Sequence, residues 1–327
     1  MYAQSPSVEW DNADRFILAQ NQQITTRKDL DLLIKKIRLE FTEPALRVRA
    51  CYAWVTGHIN YATTVAYDKG LIDSVLKYKE TDCEGYTVLF QYMCKQLDIS
   101  CAIITGFGRT ADSTLYMDTG NVPTDHGWCA VRVDGRWHLI DITWASGFSD
   151  GKTNRFIRNR NDWYYFTPPE KFIYDHLPKD TIWQLLLPAM TAEAFFNQPL
   201  QNYRFTEGNV KAVSPATAVI YRKQGDTICF RFHSDLFVNT INLSSDAKPV
   251  HTRGRLRHNN KDKVYEYVYV ARYPGDYTLN IELGYEYVNP QGRFTNQYAD
   301  ITYRLVVDAS GEMQNKELPG EGKAVKK

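Results

Sequence analysis

The sequence predicts an α+β domain followed by an all-β domain of the sandwich type. Apolar residues recur at helical spacing over much of the first half of the chain, and a strong hairpin signal follows them. From about residue 209 the pattern changes to short alternating runs separated by turn residues. The 327 residues suffice for two such domains. We place the first domain at residues 1–200 and the β domain at residues 201–308, and we expect a disordered polar tail at residues 309–327.

Three segments near the start of the chain have helical periodicity. Residues 29–40 alternate apolar and charged side chains at helical spacing. A second helix is predicted to begin at Pro44, which the first turn of a helix tolerates, and an apolar stripe follows it. Residues 84–97 repeat the pattern, and the apolar run at residues 100–106 predicts a strand. Farther along, a segment punctuated by proline contains a predicted helical stretch around Trp183.

The hairpin signal is the clearest local feature of the sequence. Residues 126–133 and 136–143 alternate in polarity, and the Asp134-Gly135 pair between them favours a type I′ turn. Counting outward from a two-residue turn assigns each side chain to one face of the hairpin. One face carries His126, Trp128, Asp141 and Thr143. The opposite face carries Cys129, His138 and Ile140.

His126 and Asp141 are diagonal neighbours in this count. Their backbones are expected to lie about 7–8 Å apart, a gap that an imidazole and a carboxylate can close. That is the relation between base and orienting group that nucleophilic catalysis needs. The alternative is a hydrogen-bonded pair on an ordinary sheet. The other histidines, among them His176, show no ligand spacing, so the sequence predicts no metal site and no cofactor.

Cys83 is the candidate nucleophile. It lies at the predicted start of a helix, where free backbone N–H groups and the helix dipole favour the thiolate over the thiol. Gly85, two residues later, is interpreted as leaving room for a substrate. Cys51, Cys94 and Cys101 lie within predicted helices or a strand and are interpreted as small buried hydrophobes.

Six alternating runs predict the strands of the β domain. They cover residues 217–222, 227–232, 237–243, 263–271, 276–283 and 298–307. The stretch 274–279 resembles the turn that enters a late strand of immunoglobulin-like domains, so we expect an immunoglobulin-like sandwich. In the first domain, residues 109–124 are rich in Thr, Asp and Gly and predict a loop that would act as a lid over the site.

The composition narrows the classes of function. The net charge is +1 and the pI is near 7.6, so no basic excess points to nucleic acid. No apolar stretch reaches the roughly 18 residues that a membrane span needs. The six cysteines form no Cys-x-x-Cys pair and leave the compartment open. If residues 1–4 are the remnant of a signal peptide, the protein is secreted or periplasmic.

Three ordered motifs resemble those of transglutaminase-like proteins. They are Asp82-Cys83-Glu84-Gly85-Tyr86, then His126-Gly127-Trp128, and then the run from Val133 through Asp141 to Trp144. Residues 165–178 and 183–186 are similar to the kyphoscoliosis-peptidase branch, and the likeness covers residues 40–190. The sequence departs from the pattern at Gly127, Cys129 and Ala62, where the family often has Ala, Asn and Asp. The departures at Gly127 and Cys129, which flank the three motif residues Cys83, His126 and Asp141, concern substrate preference more than catalytic competence.

The resemblance implies a papain-like core, with helices packed on an antiparallel sheet. In it Cys83 attacks an amide carbonyl, His126 takes the proton and Asp141 holds the imidazole. Hydrolysis of the resulting thioester, the preferred reading, makes the protein a cysteine peptidase or amidase. Release by an amine would make it a cross-linking transglutaminase. Two further alternatives are a silent triad, with the β domain as a binding or scaffolding part, and an amidase that deglycosylates proteins.

The expected partner is a protein or peptide substrate, including a cell-wall peptide or a glycan-linked polymer. Trp128 and Trp144 are predicted to wall the cleft. The backbone N–H of Cys83 is expected to hold the oxyanion, and Tyr61 is predicted to supply a second donor.

Overall fold

The computed structural model of the protein describes residues 8–20, 22–110, 121–150, 152–153, 155–207, 210–247, 252–253, 257–259, 263–288 and 294–309. The described residues up to Phe195 form one compact unit, and those from Phe196 onward form a second. Most of the predicted lid at 109–124 and nearly all of the predicted tail after residue 309 lie outside the described residues. No described helix is both long and apolar enough to cross a membrane.

The helices of the first unit lie mainly in its first hundred residues. They are α1 (Val8–Leu18), α2 (Arg27–Glu40), α3 (Pro44–His58), α4 (Ile72–Tyr78), α5 (Cys83–Gln96), α6 (Ile142–Ser146), α7 (Pro169–Phe172) and α8 (Ala192–Phe196), whose last residue belongs to the second unit. The predicted helices at 29–40, 44–57 and 84–97 are therefore confirmed as α2, α3 and α5. Thr26 begins α2 with a capping box, in which its side chain and that of Asp29 each satisfy a backbone N–H of the other.

The strands of the first unit form one main sheet and two short pairs. They are β1 (Asn60–Tyr61), β2 (Glu80–Thr81), β3 (Cys101–Gly108), β4 (His126–Val133), β5 (Arg136–Ile140), β6 (Gly147–Ser149), β7 (Phe156–Arg158), β8 (Tyr165–Thr167) and β9 (His176–Pro178). The main sheet is antiparallel, with the order β8-β5-β4-β3-β9. Strand β1 pairs in parallel with β2, and β6 pairs with β7.

The predicted hairpin forms, but its second strand is shorter than expected. Asp134 and Gly135 both have positive φ, at 50° and 75°, as a type I′ turn requires. The pairing then runs outward to Cys129 opposite Ile140, as the count predicts. The extension of the strand to Thr143 is wrong. The side chain of Asp141 accepts the backbone N–H of Trp144 and begins helix α6 instead.

The helical stretch predicted around Trp183 is confirmed only as a short 3-10 helix and does not extend to Leu187. The chain makes a single 3-10 turn at Thr181–Gln184, and Leu185 follows it in the left-handed region with φ 56°. Pro188 ends any continuation, because proline lacks the N–H that a helix needs and restricts the residue before it.

Arg49 ties three segments of the first unit together. Its side chain in α3 is 2% exposed, and its Nε and Nη2 atoms each donate to a carboxylate oxygen of Asp14 in α1 at 2.8 Å. Nη2 also donates to Asp162, which precedes β8, at 2.7 Å. The rings of Trp10 and Tyr165 lie 5.2 Å and 4.9 Å from the guanidinium carbon. A guanidinium so deeply buried needs these partners to offset the loss of water.

The second unit is built mainly from strands, most of which pack around a large hydrophobic core. Its elements are β10 (Leu200–Gln201), α9 (Tyr203–Glu207), β11 (Lys211–Ser214), β12 (Val219–Lys223), β13 (Thr227–His233), β14 (Val238–Ser245), β15 (Thr252–Arg253), β16 (Arg257–Asn259), β17 (Val264–Val270), β18 (Gly275–Val288) and β19 (Phe294–Asp308). One sheet has the order β11-β13-β17-β16. The other has the order β10-β19-β18-β14-β15, with β12 added in parallel to β19.

The two sheets of the second unit share their buried side chains. Phe230 of the smaller sheet meets Tyr303 of the larger one at a ring distance of 5.2 Å. Both belong to a continuous cluster of buried residues drawn from the two sheets. The predicted fold class, an α+β domain of helices and an antiparallel sheet followed by an all-β region, is confirmed.

Candidate active site

Cys83 is the first residue of α5 and is partly exposed. Asp82 caps this helix, and its side chain accepts the backbone N–H groups of Glu84 and Gly85. Strand β2 ends one residue before the cap and pairs with β1, which fixes the direction in which the helix starts. The thiol therefore lies at the positive end of a helix of 14 residues.

A lysine offsets the acidic residues on either side of Cys83. Lys69 Nζ lies 2.5 Å from Asp82 Oδ2 and 3.0 Å from Glu84 Oε2. Two carboxylates next to a thiol would oppose its ionisation by like-charge repulsion. The ammonium group between them reduces that repulsion.

His126 begins β4, and its ring lies between Asp141 and Cys83. Its Nε2 atom is 2.7 Å from Asp141 Oδ2, and the Cys83 side chain lies close enough to contribute to the raised pKa of His126. Because Nε2 faces the carboxylate, Nδ1 is the nitrogen left for the thiol. Gly108 on the neighbouring strand leaves space for the ring, since a Cβ there would lie 3.0 Å from the His126 side chain.

The charge state of His126 follows from these partners. Burial opposes its protonation, but the charge of Asp141, the hydrogen bond that His126 donates to it and the interaction with Cys83 outweigh burial and raise the pKa of His126 to about 10. Burial would likewise raise the pKa of Asp141, yet His126 and His176 hold that pKa well below its usual range. An imidazolium beside a carboxylate is therefore the favoured state near neutral pH.

Asp141 is the fully buried centre of the site. Its Oδ1 atom accepts the backbone N–H of Trp144 at 3.0 Å, so the cap of α6 also fixes the carboxylate. Its Oδ2 atom accepts hydrogen bonds from both His126 and His176. Trp144, on the first turn of α6, stacks on the His126 ring at 4.9 Å and 22°. One short helix thus positions the acceptor and covers the imidazole.

His176 is the residue that sequence reasoning missed. Its Nε2 atom lies 2.9 Å from Asp141 Oδ2, and its Nδ1 atom lies 2.5 Å from Asp175 Oδ1. The expectation that His176 belongs to no cluster is therefore wrong. Ligand-type atoms of His126, Asp141 and His176 lie within 4.8 Å of one another. The direct hydrogen bonds through Asp141 account for this grouping without an ion.

Trp128 lies beneath the site and does not wall the cleft. The next residue, Cys129, faces α5, since its Sγ lies 3.9 Å from the carbonyl oxygen of Thr87. Alternation along β4 therefore points Trp128 away from Thr87 and the body of α5, on the same face as His126 at the start of the strand. There it is 1% exposed and meets the His176 ring edge-on at 5.0 Å.

Trp144 and Tyr61 are better placed to meet a substrate. Both are partly exposed, and Trp144 covers His126. Burial, followed by electrostatic interaction with Cys83 and Asp82, raises the pKa of the Tyr61 hydroxyl, as expected for a phenol near the start of α5. Strand β1 carries Tyr61 to this position through its pairing with β2.

Gly85 serves the packing of α5 rather than the entry of a substrate. It is buried, and a Cβ added to it would lie 1.9 Å from Thr81 Oγ1. The space that its missing side chain leaves is therefore occupied by β2. The interpretation of Gly85 as room for a substrate is wrong.

Replacing Gly85 with alanine should destabilise the first unit by about 1–3 kcal/mol, the usual effect of overpacking. The added methyl group would force Thr81 and the start of α5 apart. Urea unfolding at neutral pH measures the change. Gly57→Ala is the matched control, because a Cβ there meets nothing within 4 Å and alanine favours a helix. Equal effects of the two substitutions would contradict the packing role of Gly85.

Residues 33–142 match the family model of the transglutaminase-like superfamily. The chain contains a transglutaminase-like domain. Kyphoscoliosis peptidase of Mus musculus is 32% identical over 212 residues, which cover 63% of this chain and 32% of the mouse protein. Kyphoscoliosis peptidase of Homo sapiens is 33% identical over 208 residues, which cover 62% of this chain and 31% of the human protein.

A third relative is Lim and transglutaminase domain protein ltd-1 of Caenorhabditis elegans. It is 26% identical over 224 residues, which cover 60% of this chain and 31% of that protein. The chain thus spans about a third of the length of these curated relatives. The family match takes in Cys83, His126 and Asp141 but ends at residue 142, so His176 lies beyond it.

Proposed function

We propose that the transglutaminase-like domain performs thiol-dependent acyl transfer on protein or peptide amides. Cys83 is the nucleophile, His126 is the general base and acid, and Asp141 orients and stabilises the imidazolium. The observation that supports this most directly is the His126 ring, which is bound to Asp141 through Nε2 and lies near the Cys83 thiol. A thiol at a helix start beside a protonated imidazole is the arrangement that activates cysteine.

The proposed reaction has two halves. The Cys83 thiolate attacks the amide carbonyl carbon and forms a C–S bond, and the carbonyl oxygen becomes an oxyanion. His126 then gives its Nδ1 proton to the leaving amine as the C–N bond breaks, which leaves a thioester. A water molecule attacks this thioester and passes a proton to His126. Collapse of the second intermediate releases the acid and restores the thiolate and the imidazolium.

The oxyanion is proposed to bind at the start of α5. The Asp82 side chain takes the backbone N–H groups of Glu84 and Gly85 and not that of Cys83. The N–H of Cys83 can therefore donate to the oxyanion. The Tyr61 hydroxyl, which lies near the thiol, is the proposed second donor.

Water is the proposed acyl acceptor. The mouse and human relatives are named peptidases, which supports hydrolysis over cross-linking. The partly exposed Trp144 is proposed to contact the substrate chain beside the thiol. Cell-wall peptides and glycan-linked polymers are narrower substrate classes, which we propose to test in the hydrolysis assay described next.

A glutamine-containing peptide tests the proposal when it is supplied with and without a fluorescent primary amine. We expect hydrolysis to exceed amine incorporation, and both to disappear in Cys83→Ala. Cys229→Ala is the matched control, because Cys229 is also a partly exposed free cysteine but lies in the second unit. Faster amine incorporation would make the protein a cross-linking enzyme. No turnover of any peptide, with a Cys83 no more reactive than the other cysteines, would contradict acyl transfer and favour a binding or scaffolding role.

A further inference from the structure

His176 is fully buried between two carboxylates. It begins β9, the edge strand of the main sheet, which pairs with β3. Its Nε2 atom lies 2.9 Å from Asp141 Oδ2 and its Nδ1 atom 2.5 Å from Asp175 Oδ1. Asp175 is held in turn by the Tyr164 hydroxyl, which donates to its other oxygen at 3.2 Å. Both ring nitrogens of His176 therefore face carboxylate oxygens.

This geometry constrains the proton count. A neutral imidazole has one N–H group and one lone pair, so one of its nitrogens would turn a lone pair toward a carboxylate oxygen. An imidazolium donates on both sides and satisfies both partners. The rings of Phe172 and Trp144, at 4.0 Å and 4.5 Å from the His176 ring, enclose it. Burial alone would lower the pKa of His176, but Asp175 and Asp141 outweigh burial and raise it.

We infer that His176 is a permanently protonated positioning residue, which holds Asp141 in place for His126 and sets the pH range in which Cys83 reacts. The second part of this inference rests on the proposed pairing of Cys83 with His126. His176 does not touch a reacting atom. It acts through the single carboxylate oxygen that it shares with His126.

The charges around His176 determine the direction of its effect. The charged or titratable groups that face it are Asp141 at the cap of α6, Asp175 and Tyr164 on one side, and His126 of β4. Arg109, at the end of β3, interacts electrostatically with Asp175. The ring centres of His126 and His176 are 5.5 Å apart, so a charge on one is felt at the other. A fixed positive charge on His176 weakens the hold of Asp141 on the proton of His126 and favours the nearby thiolate.

The pH dependence of Cys83 alkylation by iodoacetamide tests this effect. With increasing pH the alkylation rate should rise in two steps. The lower step marks formation of the thiolate–imidazolium pair, and the upper step marks loss of the His126 proton. Without the charge of His176, the His126 proton is held more strongly. His176→Gln should therefore move the upper step to higher pH by about one to two units. His138→Gln is the matched control, because that half-buried histidine stacks on Phe166 and should leave both steps in place.

Nitrogen NMR of the histidine rings in the intact protein tests the protonation of His176 directly. We expect both ring nitrogens of His176 to carry a proton from pH 5 to pH 8, with the signals assigned by their loss in His176→Gln. Asp175→Asn provides a second route if that variant does not fold, since removing one carboxylate should let His176 lose a proton within the range. An unprotonated ring nitrogen at pH 7 in the wild-type protein would overturn the inference.

The remaining outcomes separate this inference from the proposed function. A doubly protonated His176 whose replacement leaves the upper step in place would contradict the positioning role, because a charge that only stabilises the fold does not move a titration. A Cys83 no more reactive than the other cysteines would refute the proposed function and, with it, the effect on reactivity. The charge of His176 would then be decided by the NMR signals alone.

Discussion

Replacing His126 with alanine should slow the alkylation of Cys83 by iodoacetamide at pH 6 on the order of a hundredfold. In the proposed mechanism the imidazolium, bound to Asp141 and near Cys83, stabilises the thiolate. An ordinary cysteine has a pKa of about 8.5, so only about 0.3% of it is ionised at that pH. Loss of the imidazolium should return Cys83 toward this fraction. Timed quenching followed by peptide mapping gives the rate at each cysteine.

The other cysteines of the chain provide an internal reference for this measurement. Cys51, Cys94, Cys101 and Cys129 are buried, whereas Cys229 is partly exposed and lies in the second unit. His138→Ala removes a histidine from the same hairpin and should leave the rate at Cys83 within a few-fold of the wild type. If Cys83 reacts no faster than Cys229 in the wild-type protein, or equally fast in His126→Ala, the thiol is not activated by His126.

Replacing Asp141 with alanine should lower the free energy of unfolding on the order of 3–5 kcal/mol, the usual effect of breaking a buried ion pair. The carboxylate accepts from His126, His176 and the Trp144 backbone, and all three donors would lose it. Two buried imidazoles would then have to lose protons or remain as unpaired charges. Urea unfolding followed by circular dichroism at several pH values measures the difference from the wild type.

The pH dependence of that difference has a defined sign. Asp141 has a lowered pKa, so its contribution is present above the unfolded value of about 3.9 and is lost as the pH falls through the folded one. His126 has a raised pKa, so its contribution is complete below about 6.5 and is lost as the pH rises through about 10. The difference should therefore be largest between about pH 4 and pH 6.5. Asp141→Asn, which keeps an oxygen to cap α6, should cost less. Equal losses in the two variants would point to the charge of Asp141 alone, and no loss in Asp141→Asn would point to the cap alone.

The parts of the site that the sequence could predict depend on local rules. A two-residue turn sets the register from Val133 to Cys129, and that register brings His126 near Asp141. The cap of α5 sets Cys83 at a helix start. The count failed at the point where Asp141 stopped being a strand residue, because an Asp side chain can cap a helix as readily as it can end a strand. The predicted contact between Asp141 and His126 still forms, because the two side chains are long enough to meet whether Asp141 ends a strand or caps a helix.

The remaining parts depend on contacts between distant segments. His176 is 35 residues from Asp141 and reaches it only because β9 pairs with the far edge of β3. The adjacent Asp175 was the available signal in the sequence. An Asp-His pair is common, however, and does not indicate which distant residue the histidine contacts. Trp128 lies on the face of the hairpin that the residue count predicted. The count could not show that the body of α5 packs on the opposite face, against Cys129. Gly85 looked like an opening because the approach of Thr81 cannot be read from spacing.

The ion pairs of Arg49 with Asp14 and Asp162 show that the segment matched by the family model is shorter than the segment that packs as a unit. The family match begins at residue 33, whereas Asp14, which binds both donating atoms of Arg49, belongs to a helix that starts at Val8. Asp162, the other carboxylate bound to Arg49, lies after the match ends at residue 142. A fragment cut at the limits of the match would leave a cation in its interior with neither counter-charge. A fragment that keeps both counter-charges of Arg49 therefore extends beyond the match at both ends, from α1 to at least Asp162.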